Sequence, residues 1–187
     1  MDGIPVSDYD LGSIRRGIAF VSQDAFVFND TVRNNIIFGR TGITDDELQG
    51  LLRAAHIAEE VEALERGLDT MLGERGVTLS GGQRQRISIA RALAADPPIL
   101  ILDDALSMVD TRTEELILNR ILESRSGKTN LIVSHRVSTI GRADRTLVFD
   151  RGRLVEEGDH QTLLGRGGLY STLYRKQILL SELEEVD

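Results

Sequence analysis

The residues best suited to chemistry form one short run, Leu79-Ser80-Gly81-Gly82-Gln83, followed by Arg84-Gln85-Arg86. Ser80 and Gln83 have the spacing of a capping box, in which each side chain satisfies a backbone N–H of the other at a helix start. Gly81 and Gly82 lie between them and carry no Cβ, so an anion can approach the N–H groups of the first turn. The run fits a phosphate-binding helix start. It equally fits a plain cap whose glycines serve a turn.

A second candidate is Asp103-Asp104, which closes the apolar run Ile99-Leu100-Ile101-Leu102. Successive apolar residues without alternation predict a strand buried on both faces, as in a parallel sheet. Ligands of open α/β sheets bind beyond the carboxyl ends of the strands, and a carboxylate there can hold Mg²⁺ on a nucleotide. The same aspartates also suit a turn or the cap of a following helix. His135 follows the next apolar run, Leu131-Ile132-Val133, at the same kind of strand end, which fits either a catalytic or a structural histidine. His56 and His160 have no such setting and read as structural or surface residues.

The elements that must position these residues follow from pattern. Ile18-Ala19-Phe20-Val21 predicts a strand leading into the polar loop Ser22-Gln23-Asp24. Thr44 is placed to cap a helix from Asp45 to Ala55, with Leu48, Leu51 and Leu52 at helical spacing. A loop rich in glycine and charge separates it from a helix that Ser80 opens and Pro97-Pro98 stops. Thr113 to Ser124 reads as a helix between the two apolar strands, which makes a βαβ unit. Arg151-Gly152 reads as the turn of a tight hairpin at the sheet edge, and a last helix starts near Gly168. It ends in an acidic, solvated tail. Neither an internal repeat nor a low-complexity linker marks a second domain.

The 187 residues are 41% hydrophobic and 28% charged, a globular balance that excludes global disorder. With 22 basic and 30 acidic residues the formal charge is −8, against a nucleic-acid-binding module, whose footprint is a basic face. The chain has no cysteine, so disulfides, thiolate zinc sites and cysteine nucleophiles are excluded. No apolar run reaches membrane-spanning length, and Met1-Asp2-Gly3-Ile4-Pro5 is not a signal peptide. Work at a membrane would require something else to hold the chain there.

Taken in order, Gln23, Leu79 to Gln83, Ile99 to Asp104, Ser107 to Asp110 and His135 resemble the ATP-binding domains of ABC transporters element by element. Leu79-Ser80-Gly81-Gly82-Gln83 resembles the ABC signature, and Ile99 to Asp103 resembles Walker B. Gln23 is similar to the Q-loop glutamine, Ser107-Met108-Val109-Asp110 to the D-loop, and His135 to the switch histidine. Thr31-Val32-Arg33-Asn34-Asn35-Ile36, Gly73-Glu74-Arg75-Gly76 and Gly158-Asp159-His160 with Leu163-Leu164 are similar to segments of the exporter branch. The resemblance runs from Met1 to about Lys176.

The resemblance implies an α/β fold: an incomplete P-loop NTPase-like ABC ATPase domain with a parallel-sheet core. A helical subdomain at about 31–95 carries the signature, and about 177–187 form the acidic tail. It also implies ATP and Mg²⁺ as cofactors, sandwiched between two such domains, each site pairing one domain's P-loop with the other's signature. On that pattern Ser80, Gly81, Gly82 and Gln83 contact the γ-phosphate held by the partner. Asp103 and Gln23 serve Mg²⁺, Asp104 sits at the general-base position, and His135 contacts the γ-phosphate. Ser107 and Asp110 lie at the dimer interface. The implied partners are a second ABC ATP-binding domain and the transmembrane domain of an exporter, with no nucleic acid. The implied place is the cytoplasm at the inner face of the membrane, through a transmembrane domain not present in this sequence.

The pattern departs from the family in two ways. A complete domain begins with a strand, a P-loop of the form G-x-x-x-x-G-K-[ST] and a helix, and the match here starts at Met1, just beyond them. Ser126-Gly127-Lys128-Thr129 is a decoy, because Leu122 stands where the first glycine belongs and Lys128 precedes a strand. No lysine precedes Lys128, so the isolated chain is expected to be inactive as an ATPase. Asp104 stands where the family normally has the glutamate that orients the attacking water, and general-base catalysis is worth ~10²–10⁴-fold. Members with aspartate here are typically the degenerate-site half of a heterodimeric exporter, whose intact signature completes the partner's competent site. The alternatives are a catalytically inactive fragment that only binds or regulates a partner, and a soluble ABC ATPase of DNA repair or translation. The exporter-like segments and the acidic charge disfavour the latter.

Overall fold

The computed structural model describes residues 3–73 and 76–184. Glu74 and Arg75 of the exporter-like loop, and the last three residues of the acidic tail, lie outside the described residues. Two compact units follow one another, Met1–Val133 and Ser134–Asp187.

The first unit opens with a 3₁₀ turn, Val6–Asp8, and α1 (Leu11–Gly17), then β1 (Ile18–Val21). Next come α2 (Val32–Ile37), α3 (Asp45–Ala54) and α4 (Ala58–Glu62). α5 (Gly81–Ala94), β2 (Ile99–Asp103), α6 (Thr111–Ser124) and β3 (Thr129–Val133) complete it. Polar caps set the helix starts: Thr31 for α2, Thr44 with Glu47 in a full capping box for α3, and Asp110 for α6. Each such cap is worth about 0.5–2 kcal/mol against alanine.

β1, β2 and β3 form a parallel sheet in that order, with Val21 beside Leu102 and Asp103 beside Val133. Leu100 and Leu102 point into a core shared with Ile87, Ile89 and Leu93 of α5 and Ile117, Leu118 and Ile121 of α6. Truncating one such leucine or isoleucine to alanine costs about 2–5 kcal/mol. α5 is buried nearly all round, the pattern of a core helix.

The expectation that the strands are buried on both faces is corrected. Burial alternates along β2, and the other face carries Phe20 at 58% exposure, Leu131 at 50% and Val133 at 46%. One face of the sheet is thus buried and the other only partly covered, so burial takes a period of two.

The second unit holds α7 (Val137–Ile140), β4 (Thr146–Asp150), β5 (Arg153–Gly158), α8 (His160–Arg166) and α9 (Leu169–Glu184). β4 and β5 join through Arg151-Gly152, both at positive φ (48° and 74°), as tight two-residue hairpin turns require. The hairpin is not at the edge of the parallel sheet, as the sequence suggests; its strands form a two-stranded sheet of their own. Val148, Leu163 and Tyr170 make a small core beneath it. The Glu156 carboxylate accepts from the Leu169 and Tyr170 N–H groups (3.0 and 2.8 Å), so a strand residue caps α9. His160 Nδ1 lies 2.7 Å from the Tyr170 hydroxyl, a structural role as expected. Among the described residues no helix is long and apolar enough to cross a membrane.

Candidate functional site

The start of α5 is built as its sequence requires. Ser80 Oγ accepts from Gln83 N–H (3.2 Å), and Gln83 Oε1 accepts from Ser80 N–H (2.9 Å), a complete capping box. The two glycines have a further reason to be there. A Cβ on Gly82 would sit 2.9 Å from the Met108 carbonyl oxygen, and one on Gly81 would run into Met108 Sδ. The close approach of the Met108 backbone therefore demands glycine at 82, whereas at 81 the neighbour is the movable tip of the Met108 side chain; openness to an anion is a second consequence of the glycines.

Met108 and Asp110 face this helix start across a shallow cavity of about 330 Å³, which Ser80, Gly81, Gly82 and Arg86 also line. Arg86 is held in place by the His56 carbonyl (2.6 Å) and the Glu60 carboxylate (2.5 Å), so the cavity has a fixed cation at its wall. Asp110 accepts from Thr113 N–H (2.9 Å) as the cap of α6, and that hydrogen bond holds its carboxyl below the usual aspartate range. The helix cap and the cavity wall are thus one residue.

Gln23, Asp103 and Asp104 gather at one end of the sheet. Val21 pairs with Leu102, so Gln23 emerges just past β1 at the end where β2 delivers its two carboxylates. Asp104 has φ +45°, unusual for a residue with a side chain, and its N–H donates to the Val133 carbonyl (2.9 Å). Aspartate and asparagine tolerate that conformation better than most residues.

One residue that sequence reasoning missed ties these pieces together. Gln85 is fully buried on α5. Its Nε2 donates to Ser107 Oγ (3.1 Å) and to the Gln23 carbonyl (3.4 Å), while its Oε1 accepts from Met108 N–H (3.0 Å). The available signal was an amide on the apolar face of a helical pattern, four residues before Ile89.

Asn35 and Arg91 brace the segment beyond Gln23. Asn35 is fully buried and bonds the backbone of Phe28, Asp30 and Thr31. Arg91 donates to the carbonyls of Asn35 (2.7 Å) and Phe26 (2.9 Å) and lies over the rings of Phe28 and Phe38. Burial pushes its guanidinium pKa down from the ordinary arginine value. Phe26 and Phe38 remain 64% and 60% exposed, a fixed aromatic surface next to the Gln23 loop.

His135 belongs to the second unit and is exposed there. Gln177 of α9 donates to its carbonyl and accepts from Val137 N–H (2.8 Å), a second long-range contact invisible to spacing.

The chain belongs to the ABC transporters, whose family model matches residues 1–107. It is 49% identical over 176 residues to the ATP-dependent lipid A-core flippase of Alcanivorax borkumensis, covering 94% of this chain and 30% of that protein. It is 47% identical over 182 residues to YheI of Bacillus subtilis, described as a probable multidrug resistance ABC transporter ATP-binding/permease protein, covering 97% and 31%. A solved bacterial Atm1-family ABC exporter with ATP bound matches with a TM-score of 0.89 at 43% identity, over 95% of this chain and 31% of that one. The chain thus spans about 30% of the length of the curated relatives it matches.

Proposed function

We propose that the chain is the ATP-binding part of an ABC exporter, driving solute export by ATP binding and hydrolysis at a dimer of such domains. The observation that carries this reading is the α5 start: a capped helix N-terminus with two glycines, opening on a cavity walled by Met108 and Asp110. Backbone N–H groups and the helix dipole there suit the γ-phosphate of a nucleotide held by the partner domain. Ser80, Gly81, Gly82 and Gln83 are the residues that would touch it, with Ser107 and Asp110 at the dimer seam.

Asp103, Asp104 and the amide of Gln23 are hard oxygen donors of the kind Mg²⁺ uses together with phosphates, so the sheet end fits Mg²⁺ of a nucleotide. Bound there, Mg²⁺ would neutralise charge on the phosphates. The fit to ATP itself is partial, because the 187 residues contain no P-loop. Lys128 is paired with Asp96 at 2.5 Å ahead of β3, an ordinary loop lysine. Asp104 in the general-base position then makes this chain's own site the weaker of an unequal pair, while its signature completes the partner's. His135 retains the γ-phosphate role. The exposed rings of Phe26 and Phe38 are the surface offered to a transmembrane domain, which would hold the chain at the cytoplasmic face.

A second reading rests on the exposed side chains of Phe20, Leu131 and Val133: an inactive fragment that only binds or regulates a partner. Two preparations separate the readings. The purified 187-residue chain should show negligible ATP hydrolysis, and robust turnover by it alone overturns the P-loop argument. The complete subunit, assembled with its partner in vesicles, should hydrolyse Mg-ATP. Ser80→Ala there should lower turnover by about 10²-fold, the usual effect of losing one preorganised donor. An assembly without turnover favours the fragment.

A further inference from the structure

We propose that Gln85 is a positioning residue that couples the Gln23 loop to residues 107–110, and through them to the wall of the α5 cavity; this rests on the exporter reading above. Gln85 lies in the second turn of a helix buried nearly all round, so its Cα is anchored in the core. Its side chain is fully buried, yet the hydrogen bonds it makes run to other segments: Gln23 in one, Ser107 and Met108 in the other.

The orientation of the amide is dictated by its partners. Met108 offers an N–H and Gln23 a carbonyl, so Oε1 must face the first and Nε2 the second. A carboxamide is planar and rigid, and Oε1 cannot tilt without carrying Nε2 with it. Displacement of the Gln23 backbone is therefore passed to Met108 through one small plate. Met108 in turn abuts Gly82, where its carbonyl leaves no room for a Cβ. The path runs Gln23, Gln85, Met108, Gly82: from the loop at the sheet end to the helix start, without Gln85 touching the nucleotide.

A merely satisfied core amide would share the burial. It has no need to reach two separate segments that both carry candidate site residues. The two cases differ in what a substitution does to turnover at constant folding.

The test uses the complete subunit assembled with its partner, after wild type has been shown to hydrolyse ATP; no wild-type turnover refutes the exporter reading and not the role of Gln85. Gln85→Met keeps the volume and removes every hydrogen bond. It should lower kcat at least about 10-fold with KM for ATP within about 2-fold, the signature of a group that orders the site without binding substrate. Gln85→Glu keeps the acceptor for Met108 but sets a buried carboxylate oxygen against the Gln23 carbonyl, and it should lower kcat at least as far as Gln85→Met. Ser107→Ala, at an exposed position, should reduce kcat by a clearly smaller factor in Gln85→Met than in wild type, because the hydrogen bond they share is already gone while any loss at the dimer seam remains. A wild-type kcat in Gln85→Met overturns the proposal. If Gln85→Met does not assemble, Ser107→Ala combined with Gln85→Asn, which keeps a neutral amide but shortens its reach by one methylene, carries the test: losses that multiply independently overturn it, and losses that overlap support it.

Discussion

Gln177 on the last helix holds the backbone of His135, forty-two residues earlier in the chain: its Nε2 donates to the His135 carbonyl and its Oε1 accepts from Val137 N–H at 2.8 Å. One amide thus pins both sides of the residue that heads toward α7. If His135 senses a γ-phosphate, its placement depends on this clamp, and a misplacement of about 1 Å at a reacting site can cost about 10²-fold. Gln177→Leu should raise amide exchange at Val137 and lower turnover of the assembled transporter by about 10-fold. Gln177→Glu keeps the acceptor and should protect Val137 nearly as well as wild type. Unchanged exchange in Gln177→Leu would show that the loop is ordered by other contacts.

Asp104 combines a short carboxylate with a left-handed backbone, φ +45°. If Asp104 holds the general-base position as proposed, glutamate in the complete subunit lengthens the reach toward the attacking water by one methylene. Turnover at that subunit's own site should rise, within the ~10²–10⁴-fold range of general-base catalysis. The same change should cost some stability, because glutamate tolerates positive φ less well than aspartate, and such backbone strain amounts to about 1–3 kcal/mol. A higher site-resolved rate with a lower Tm is the expected pair of results. An unchanged rate would mean that side-chain length at Asp104 is not the limitation.

The longer elements are legible in the sequence because their patterns span several turns. α3, α5 and α6 carry 10 to 14 residues with caps of Thr44, Ser80 and Asp110, and the hairpin turn at Arg151-Gly152 announces itself by type. α1, α2, α4, α7 and α8 run only four to seven residues, too short for periodicity to separate them from loops. Burial is harder still: β2 reads as two-sided because its apolar run is continuous, and what covers a face cannot be read from the strand itself. The same limit hides Gln85 and Gln177, whose partners lie up to 62 and 42 residues away. Motif residues are found by order along the chain; the amides that hold them are found only in three dimensions.

The cap of α6 gives a pH dependence with a definite sign. The Thr113 N–H holds the Asp110 carboxyl below its usual range, so the folded state favours the ionised form. Its stabilisation is complete above the ordinary aspartate value of about 3.9 and is lost as pH falls through the lowered folded value. Asp110→Asn keeps an acceptor of similar capping strength and removes the titration. Protection of the Thr113 amide should therefore fall with acid in wild type and stay level in Asp110→Asn. Parallel curves for the two proteins would place the acid-sensitive group elsewhere.

Arg91 makes the most demanding use of a side chain in the first unit. Its guanidinium reaches the Asn35 carbonyl at 2.7 Å, Asn35 Oδ1 at 2.9 Å and the Phe26 carbonyl at 2.9 Å, while its face lies 4.9 Å from the centre of the Phe28 ring. Lysine keeps the charge and loses the planar fork, so Arg91→Lys cannot meet these acceptors in one plane. Hydrogen bonds from a charged group contribute about 1.5–3 kcal/mol each, and a lysine forced into this site also suffers the desolvation that already lowers the Arg91 pKa. The complete subunit should lose about 2 kcal/mol, several degrees in Tm, with proteolytic cleavage appearing first between residues 26 and 31. If Phe26 and Phe38 are the surface that meets a transmembrane domain, assembly with that domain should weaken more than ATP binding does. A variant with wild-type Tm and wild-type assembly would reduce Arg91 to a bystander and leave Asn35 as the brace of that loop.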